Sequence, residues 1–276
     1  MIPIGEKHPI DGKLAEVLGH FYTIRTPLKM KPSVYHLAPN LEMMVVFNFG
    51  APVSFSFGDK MSDARTIDHI GIIGPLRQMM NYELTGGTDL LILPFIYNGF
   101  YRLFSLAVDD FNFNNEKDVL KYIAKLENIW QQLATISDTK ERLAKITTYL
   151  LASISGNDKA SLPLLDSVPL IHNPAMNPVK AIAAKETVSE RSIQLRFKKY
   201  TGYSPKELVR FLRFKTLLTQ LFPSADIERI KWIDLVVKYG YHDQSHLIKD
   251  FKYFTGVSPK KFLSLTKDGS FCIGRE

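Results

Sequence analysis

The chain has 276 residues, 45% of them apolar, which is room for two ordinary domains with cores of their own. Its single cysteine, Cys272, excludes an intrachain disulfide and a cysteine-based zinc cluster. The net charge of +7 is unevenly placed: residues 157–276 carry 20 Lys/Arg against 12 Asp/Glu, and residues 1–156 carry 15 against 16. A polyanion partner is therefore expected for the C-terminal part alone, with a merely solvated basic face as the bland alternative.

Residues 1–10 lack a charged start followed by a long apolar stretch, so no signal peptide is expected. The longest apolar run, Leu90 to Tyr97, is interrupted by Pro94 and falls far short of the ~20 residues that span a bilayer. A cytoplasmic chain with no membrane partner is the expectation. Residues 1–112 read as a β-rich domain, a small barrel or sandwich of cupin-like form. Met43–Phe47 is an apolar run of strand length, and Val53, Phe55 and Phe57 alternate with Pro52, Ser54 and Ser56 at the strand period of two. Gly86-Gly87 between Met79–Leu84 and Leu90–Phe95 predicts a hairpin. Asn98–Leu106 predicts a short helix with Phe100, Leu103 and Phe104 inward.

Residues 113–156 read as a helical linker or dimerisation segment. Val119, Ile123, Leu126, Trp130 and Leu133 form a heptad-like stripe, which is either a helix lying on its own β domain or a seam for a second copy. In the following helix Leu143, Ile146, Leu150, Leu151 and Ile154 share a face. Ser155–Asp158 reads as a linker.

Residues 157–276 read as an all-α domain, with Pro174, Asn177 and Pro178 punctuating its start and Asn177 a cap with Pro178 in the first turn. A thirteen-residue phrase occurs twice in it. Residues 196–208 (RFKKYTGYSPKEL) and 250–262 (DFKYFTGVSPKKF) match at seven positions at an offset of 54. Each copy is the end of one helix, a glycine stop and a Ser-Pro start of the next. Around the second copy, Trp232–Tyr239 predicts a short helix, Gly240 a turn, and Asp243 the cap of a second helix over 244–254 with Leu247 and Phe251 inward. Around the first, Val179–Lys185 predicts a support helix with Ile182 and Ala183 inward. Thr187 stands where a glycine is commoner, and Ser189 caps a helix over 190–200 with Ile193 and Phe197 inward. These are two helix-turn-helix units, about 178–202 and 230–256. A long helix starting at Ser204-Pro205, with Leu208, Phe211, Leu212, Leu217, Leu218 and Leu221 inward, joins them. The fold class expected is thus α+β multidomain: N-terminal β-barrel or sandwich, helical linker, and C-terminal all-α domain with two helix-turn-helix units.

Residues 187–218 (TVSERSIQLRFKKYTGYSPKELVRFLRFKTLL) and 230–262 (IKWIDLVVKYGYHDQSHLIKDFKYFTGVSPKKF) resemble the DNA-binding domain of the AraC/XylS family of bacterial transcription regulators. The resemblance implies sequence-specific binding of double-stranded DNA, with both second helices in the major groove. Position by position, it implies base contacts from Arg191 and Gln194 in the first unit and from Gln244, Ser245, His246 and Lys249 in the second. Phosphate contacts would fall to Lys198, Lys206, Arg210, Arg213, Lys252 and Lys260. Leu195 departs from the family's commoner polar reader, and Val236 from its usual alanine. More faintly, residues 8–24, 36–50 and 99–106 resemble an uncharacterised β-rich domain attached to some such regulators, which implies sensing or oligomerisation. The reading is a regulator, an activator by the family's habit, with RNA polymerase as a partner. A small-molecule effector and a homodimeric second copy are candidate partners. An architectural DNA protein without effector, an RNA binder, and an enzymatic β domain are the alternatives. RNA binding would call for aromatic stacking platforms, and the two second helices expose few aromatics.

No enzyme, catalytic residue, metal ligand or cofactor is expected. His242 and His246 stand four apart, a metal-ligand spacing, but flank the start of a reading helix. The remaining histidines, His8, His20, His36, His69 and His172, form no pair of that kind, and His36 is at most a pocket-lining candidate. Gly71 and Gly74 have no lysine or helix start beside them to hold a phosphate. The N-terminal half lacks the cysteines that alkyl-transfer relatives of this module would need.

Overall fold

The computed structural model describes residues 5–58, 64–110, 116–156, 158–162, 164, 178–221, 232–266 and 271–272. The expected cap at Asn177, together with Pro174 and His172, lies outside the described residues.

The N-terminal part is a sandwich of two five-stranded sheets. Its strands are β1 (Gly5–His8), β2 (Phe21–Arg25), β3 (Ser33–Leu37), β4 (Met43–Asn48), β5 (Val53–Phe57), β6 (Arg65–Ile67), β7 (Ile70–Ile73), β8 (Met80–Leu84) and β9 (Asp89–Phe95). A tenth strand, β10 (Phe271–Cys272), arrives from the far end of the chain. One sheet runs β1-β2-β9-β4-β7 and the other β10-β3-β8-β5-β6. All pairings are antiparallel except β10 on β3, where Phe271 faces His36 and Cys272 faces Leu37.

The sheets enclose Ile24, Met44, Val46, Val53, Phe55, Ile67, Met80 and Leu84. The other face of the first sheet is covered by α1 (Gly99–Phe104), α2 (Glu116–Ala134) and α3 (Thr139–Ser153), which bury Met43, Val45 and Phe47. That double covering explains why β4 reads as a continuous apolar run rather than an alternation. In β5, Val53 and Phe55 point inward, as the period of two predicts.

The stripe on α2 is spent inside the chain. Leu126 and Leu133 are buried, and Val119, Ile123 and Trp130 pack against the same core. Trp130 also donates from its indole nitrogen to the Asn48 carbonyl at 2.9 Å. On α3, Ile146, Leu150 and Ile154 are buried, but Leu151 is exposed, so it leaves the face expected of it. The Gly86-Gly87 turn forms, yet the strands it joins do not pair. β8 lies in one sheet and β9 in the other, so the turn is a corner between sheets rather than a hairpin. Thr26, Thr85 and Thr88 hold that corner, with the Thr88 hydroxyl donating to the Thr85 carbonyl at 3.0 Å.

The helical C-terminal part comprises α4 (Pro178–Glu186), α5 (Glu190–Thr201), α6 (Pro205–Leu221), α7 (Trp232–Lys238), α8 (Gln244–Thr255) and α9 (Pro259–Thr266). It holds two cores. Val179, Ile182, Ala183, Ile193, Phe197 and Tyr200 form the first unit's core. Phe211, Phe214, Leu217, Leu218, Val236, Leu247, Phe251, Phe254 and Phe262 form the second's, and Ala38, Leu41 and Met79 of the sandwich join it. The sandwich thus shares a core with the second unit. Among the described residues, no helix is long and apolar enough to cross a membrane.

Candidate nucleic-acid interface

The doubled phrase is a structural repeat as well as a sequence one. Gly202 and Gly256 end α5 and α8 with the same left-handed backbone, φ 78° in each. Only glycine takes that conformation without a Cβ penalty. The glycine amides donate to the Lys198 and Lys252 carbonyls at 2.8 and 3.0 Å. Buried Thr201 and Thr255 each donate a hydroxyl proton four residues back, to Phe197 and Phe251, at 2.6 Å in both units.

The helix starts are also alike. The Ser189 hydroxyl accepts the Ser192 amide at 3.1 Å, and the Asp243 carboxylate accepts the His246 amide at 2.7 Å. That amide, with His242 beside it, holds the Asp243 carboxyl below the usual carboxylate range. The turns into the two helices match as well. Val188 donates to the Ala183 carbonyl and Tyr241 to the Val236 carbonyl, at 3.1 and 2.9 Å. Gly240 makes its turn at φ 65°, and Thr187 makes the equivalent turn at φ 52°, unusual for a β-branched residue.

On α5, Arg191, Gln194, Leu195 and Lys198 are all exposed, and their spacing of three, four and seven places them on one face. On α8 the corresponding face carries Ser245, Lys249 and Lys252, all exposed, with Gln244 exposed beside them. Lys206 and Lys260 are exposed at the first turns of the helices that follow.

Three of the candidate residues are engaged within the fold. His246 is half-buried, with its ring edge-on to Tyr241 at 5.3 Å and its Nε2 3.4 Å from Arg213. Arg210 donates from Nε to Asp250 at 2.8 Å and lies over the Tyr253 ring at 3.9 Å. Arg213 donates to the other Asp250 oxygen at 3.0 Å and lies over the Tyr241 ring at 4.4 Å. Asp250 is 1% exposed. These arginines therefore clamp α8 onto α6, and their charge is already opposed by a buried carboxylate. The Tyr241 hydroxyl beside them is pushed upward in pKa, chiefly by burial.

Asp250 is a functional residue with one signal in the sequence: the doubled phrase has Arg196 where its second copy has Asp250. Among the described residues, α5 has no such clamp on α6. Its anchors lie elsewhere. The Tyr200 hydroxyl donates to Asp158, its ring meets Tyr101 edge-on at 4.8 Å, and Lys199 sits 3.7 Å from Asp158. His242 bonds Asp243 at 3.2 Å. Among the described residues no group of three or more His, Cys, Asp or Glu side chains is placed to hold a metal ion.

Residues 182–264, which take in most of both units, match a family described as a helix-turn-helix domain. No curated protein sequence matches the chain significantly. Among solved structures, the chain is similar to ToxT from Vibrio cholerae O395 bound to (E)-4-(8-methylnaphthalen-1-yl)but-3-enoic acid. The two are 11% identical over 95% of this chain and 99% of that one, with a TM-score of 0.40. It is similar also to the AraC-like transcriptional activator CuxR, 12% identical over 78% and 87% of the two chains, with a TM-score of 0.26. Residues 182–264 of this chain are a helix-turn-helix domain.

Proposed function

We propose that the chain is a sequence-specific DNA-binding transcription regulator, in which α5 and α8 read base edges in successive turns of one major-groove face, about 34 Å apart. The observation that carries the reading is the pair of capped, glycine-stopped helices of equal length inside the matched region, each with a polar, cationic exposed face. Base reading falls to Arg191 and Gln194 on α5 and to Gln244, Ser245, His246 and Lys249 on α8. Lys198, Lys206, Lys252 and Lys260 neutralise phosphates, and Arg210 and Arg213 do so only to the extent that Asp250 leaves them charge to spare. Domains at 1–112 and 157–276, joined by 113–156, divide the work. The sandwich modulates DNA affinity by holding a small molecule or a second copy of the chain. Activation through RNA polymerase is the expected sign of control, in the cytoplasm.

Selection from random duplex DNA tests this. A two-part motif is expected, and Arg191→Ala should relax preference at one base pair and cost about 1–3 kcal/mol on the selected site. Enrichment of no motif would sink the proposal in favour of architectural binding.

A further inference from the structure

The loop between β7 and β8 touches the C-terminal end of α5 in the first helix-turn-helix unit and the last turn of α8 in the second. In the first unit, the Arg77 guanidinium donates to the Gly202 carbonyl and, through Nε at 3.3 Å, to the Glu207 carboxylate. Glu207 is the capping residue of α6, accepting the Ser204 amide and hydroxyl at 2.8 Å each. A Cβ on Gly202 would lie 2.7 Å from Pro75 and 2.6 Å from Val108, so the sandwich packs flush against this helix stop. In the second unit, the Gln78 amide donates to the Tyr253 carbonyl at 3.4 Å, and the Met79 amide to the Phe254 carbonyl at 2.7 Å. Tyr253 and Phe254 lie two to three residues before Gly256, the stop of α8 that corresponds to Gly202. Three consecutive residues of the β domain therefore hold the C-terminal ends of both reading helices and leave their N-terminal ends clear.

The helical part alone ties its units together unequally. α8 is clamped to α6 by Asp250, whereas α5 has Arg196 at that position and meets α6 through half-buried Leu208 and Leu212. The first unit's polar ties run instead to Arg77 and Asp158.

We infer that Arg77, assisted by Gln78, is a positioning residue for DNA reading that sets the placement of α5 relative to α8 from outside the helix-turn-helix region. The inference rests on the proposed DNA-reading role. Its consequence is a spacing rule. One base pair inserted between the halves of a site moves one half by about 3.4 Å and about 34°, and a braced pair of helices cannot follow.

The test uses the full chain and the duplex that wild type selects from random DNA, together with versions carrying one base pair more or fewer between the two halves. Wild type should bind the altered spacings about tenfold more weakly, comparable to losing one base pair's contacts. In Arg77→Ala this ratio should fall to about threefold or less. Affinity for a duplex with one half scrambled should stay within about twofold of wild type, because no base reader is removed. Arg77→Lys, which keeps a donor and a charge opposite Glu207, should recover part of the ratio. A merely structural role would lower affinity for all duplexes alike. Should Arg77→Ala fail to fold, Gln78→Ala, whose bond is exposed, should still narrow the ratio. Unchanged spacing ratios in the folded variants overturn the inference while leaving DNA reading intact. A wild type that selects no two-part motif overturns both.

Discussion

Asp250 offers a test in which the order of two effects matters more than either value. Its carboxylate is 1% exposed, while the Arg210 and Arg213 side chains that bind it are 35% and 27% exposed. Asp250→Ala removes two charge-assisted hydrogen bonds. Such bonds contribute about 1.5–3 kcal/mol each when fully withdrawn from water. Both arginines here keep access to solvent and can rehydrate, so the loss should be about 2 kcal/mol. Replacing both arginines by alanine leaves the carboxylate buried with neither cation, which costs about 3–5 kcal/mol. It also removes the stacking of Arg210 on Tyr253 and of Arg213 on Tyr241, worth about 0.5–1 kcal/mol each. The double arginine variant should therefore be the less stable by about 2–5 kcal/mol. The chain has two tryptophans. Trp232 sits edge-on to Phe251, 6.4 Å away, so its fluorescence in a Trp130→Phe background reports the second unit during urea unfolding. An Asp250→Ala loss equal to or greater than that of the arginine pair would refute the reasoning. It would mean that the carboxylate is satisfied by something other than these two cations.

Glu42 lies at the junction of sandwich and helices, where burial pushes its carboxyl up to about 7 against the pull of Lys215 and Lys7, with Tyr203 also facing it. The folded state then binds a proton that the unfolded chain has lost above its ordinary value of 4.5. Stability should fall as pH rises from that value to about 7 and stay low above it. Glu42→Gln should flatten the thermal-unfolding profile over that window, and an unchanged slope would count against the burial argument. Thr187→Gly should stabilise the first unit by up to about 1 kcal/mol, because it relieves a left-handed β-branched residue. Urea unfolding measures this, with Thr187→Val as the destabilised control. Ser189→Ala should cost about 1 kcal/mol by leaving the Ser192 amide without its cap, and amide exchange at the start of α5 would show it.

Much of the helical part was legible because its signals are local. The glycine stops at Gly202, Gly240 and Gly256, the Ser189 and Asp243 caps and the Ser204-Pro205 helix start act within four residues, and each lies where the spacing predicts. The strands of the sandwich were legible as strands, but their partners were not. The period of two says which side chains share a face and is silent on which sheet a strand joins, so Gly86-Gly87 reads as a hairpin when it is a corner. Buried charge was the other blind spot. Arg102 is buried with its Nε on the Ser155 carbonyl at 2.9 Å and one terminal nitrogen on Glu16 at 2.9 Å. Those partners are 53 and 86 residues away, beyond any pattern along a helix. The same holds for Arg77, whose acceptors lie 125 and 130 residues downstream. Among the site candidates, the exposed face of α5 follows from helical spacing. The engagement of Arg210, Arg213 and His246 depends on a helix crossing that no periodicity records.

The parallel pairing of β10 with β3 bears on the order in which the protein is made. β3 is the outer strand of its sheet until Phe271 and Cys272 reach it. During synthesis its free edge therefore stays open while more than 230 residues of chain follow it out of the ribosome, and open edges invite pairing with other chains. β10, which follows both reading helices in the chain, thus closes a sheet whose other strands precede them. A nascent chain stalled before residue 271 would have its reading helices complete and that edge still exposed, so aggregation during expression should track the tail rather than the DNA-reading surface.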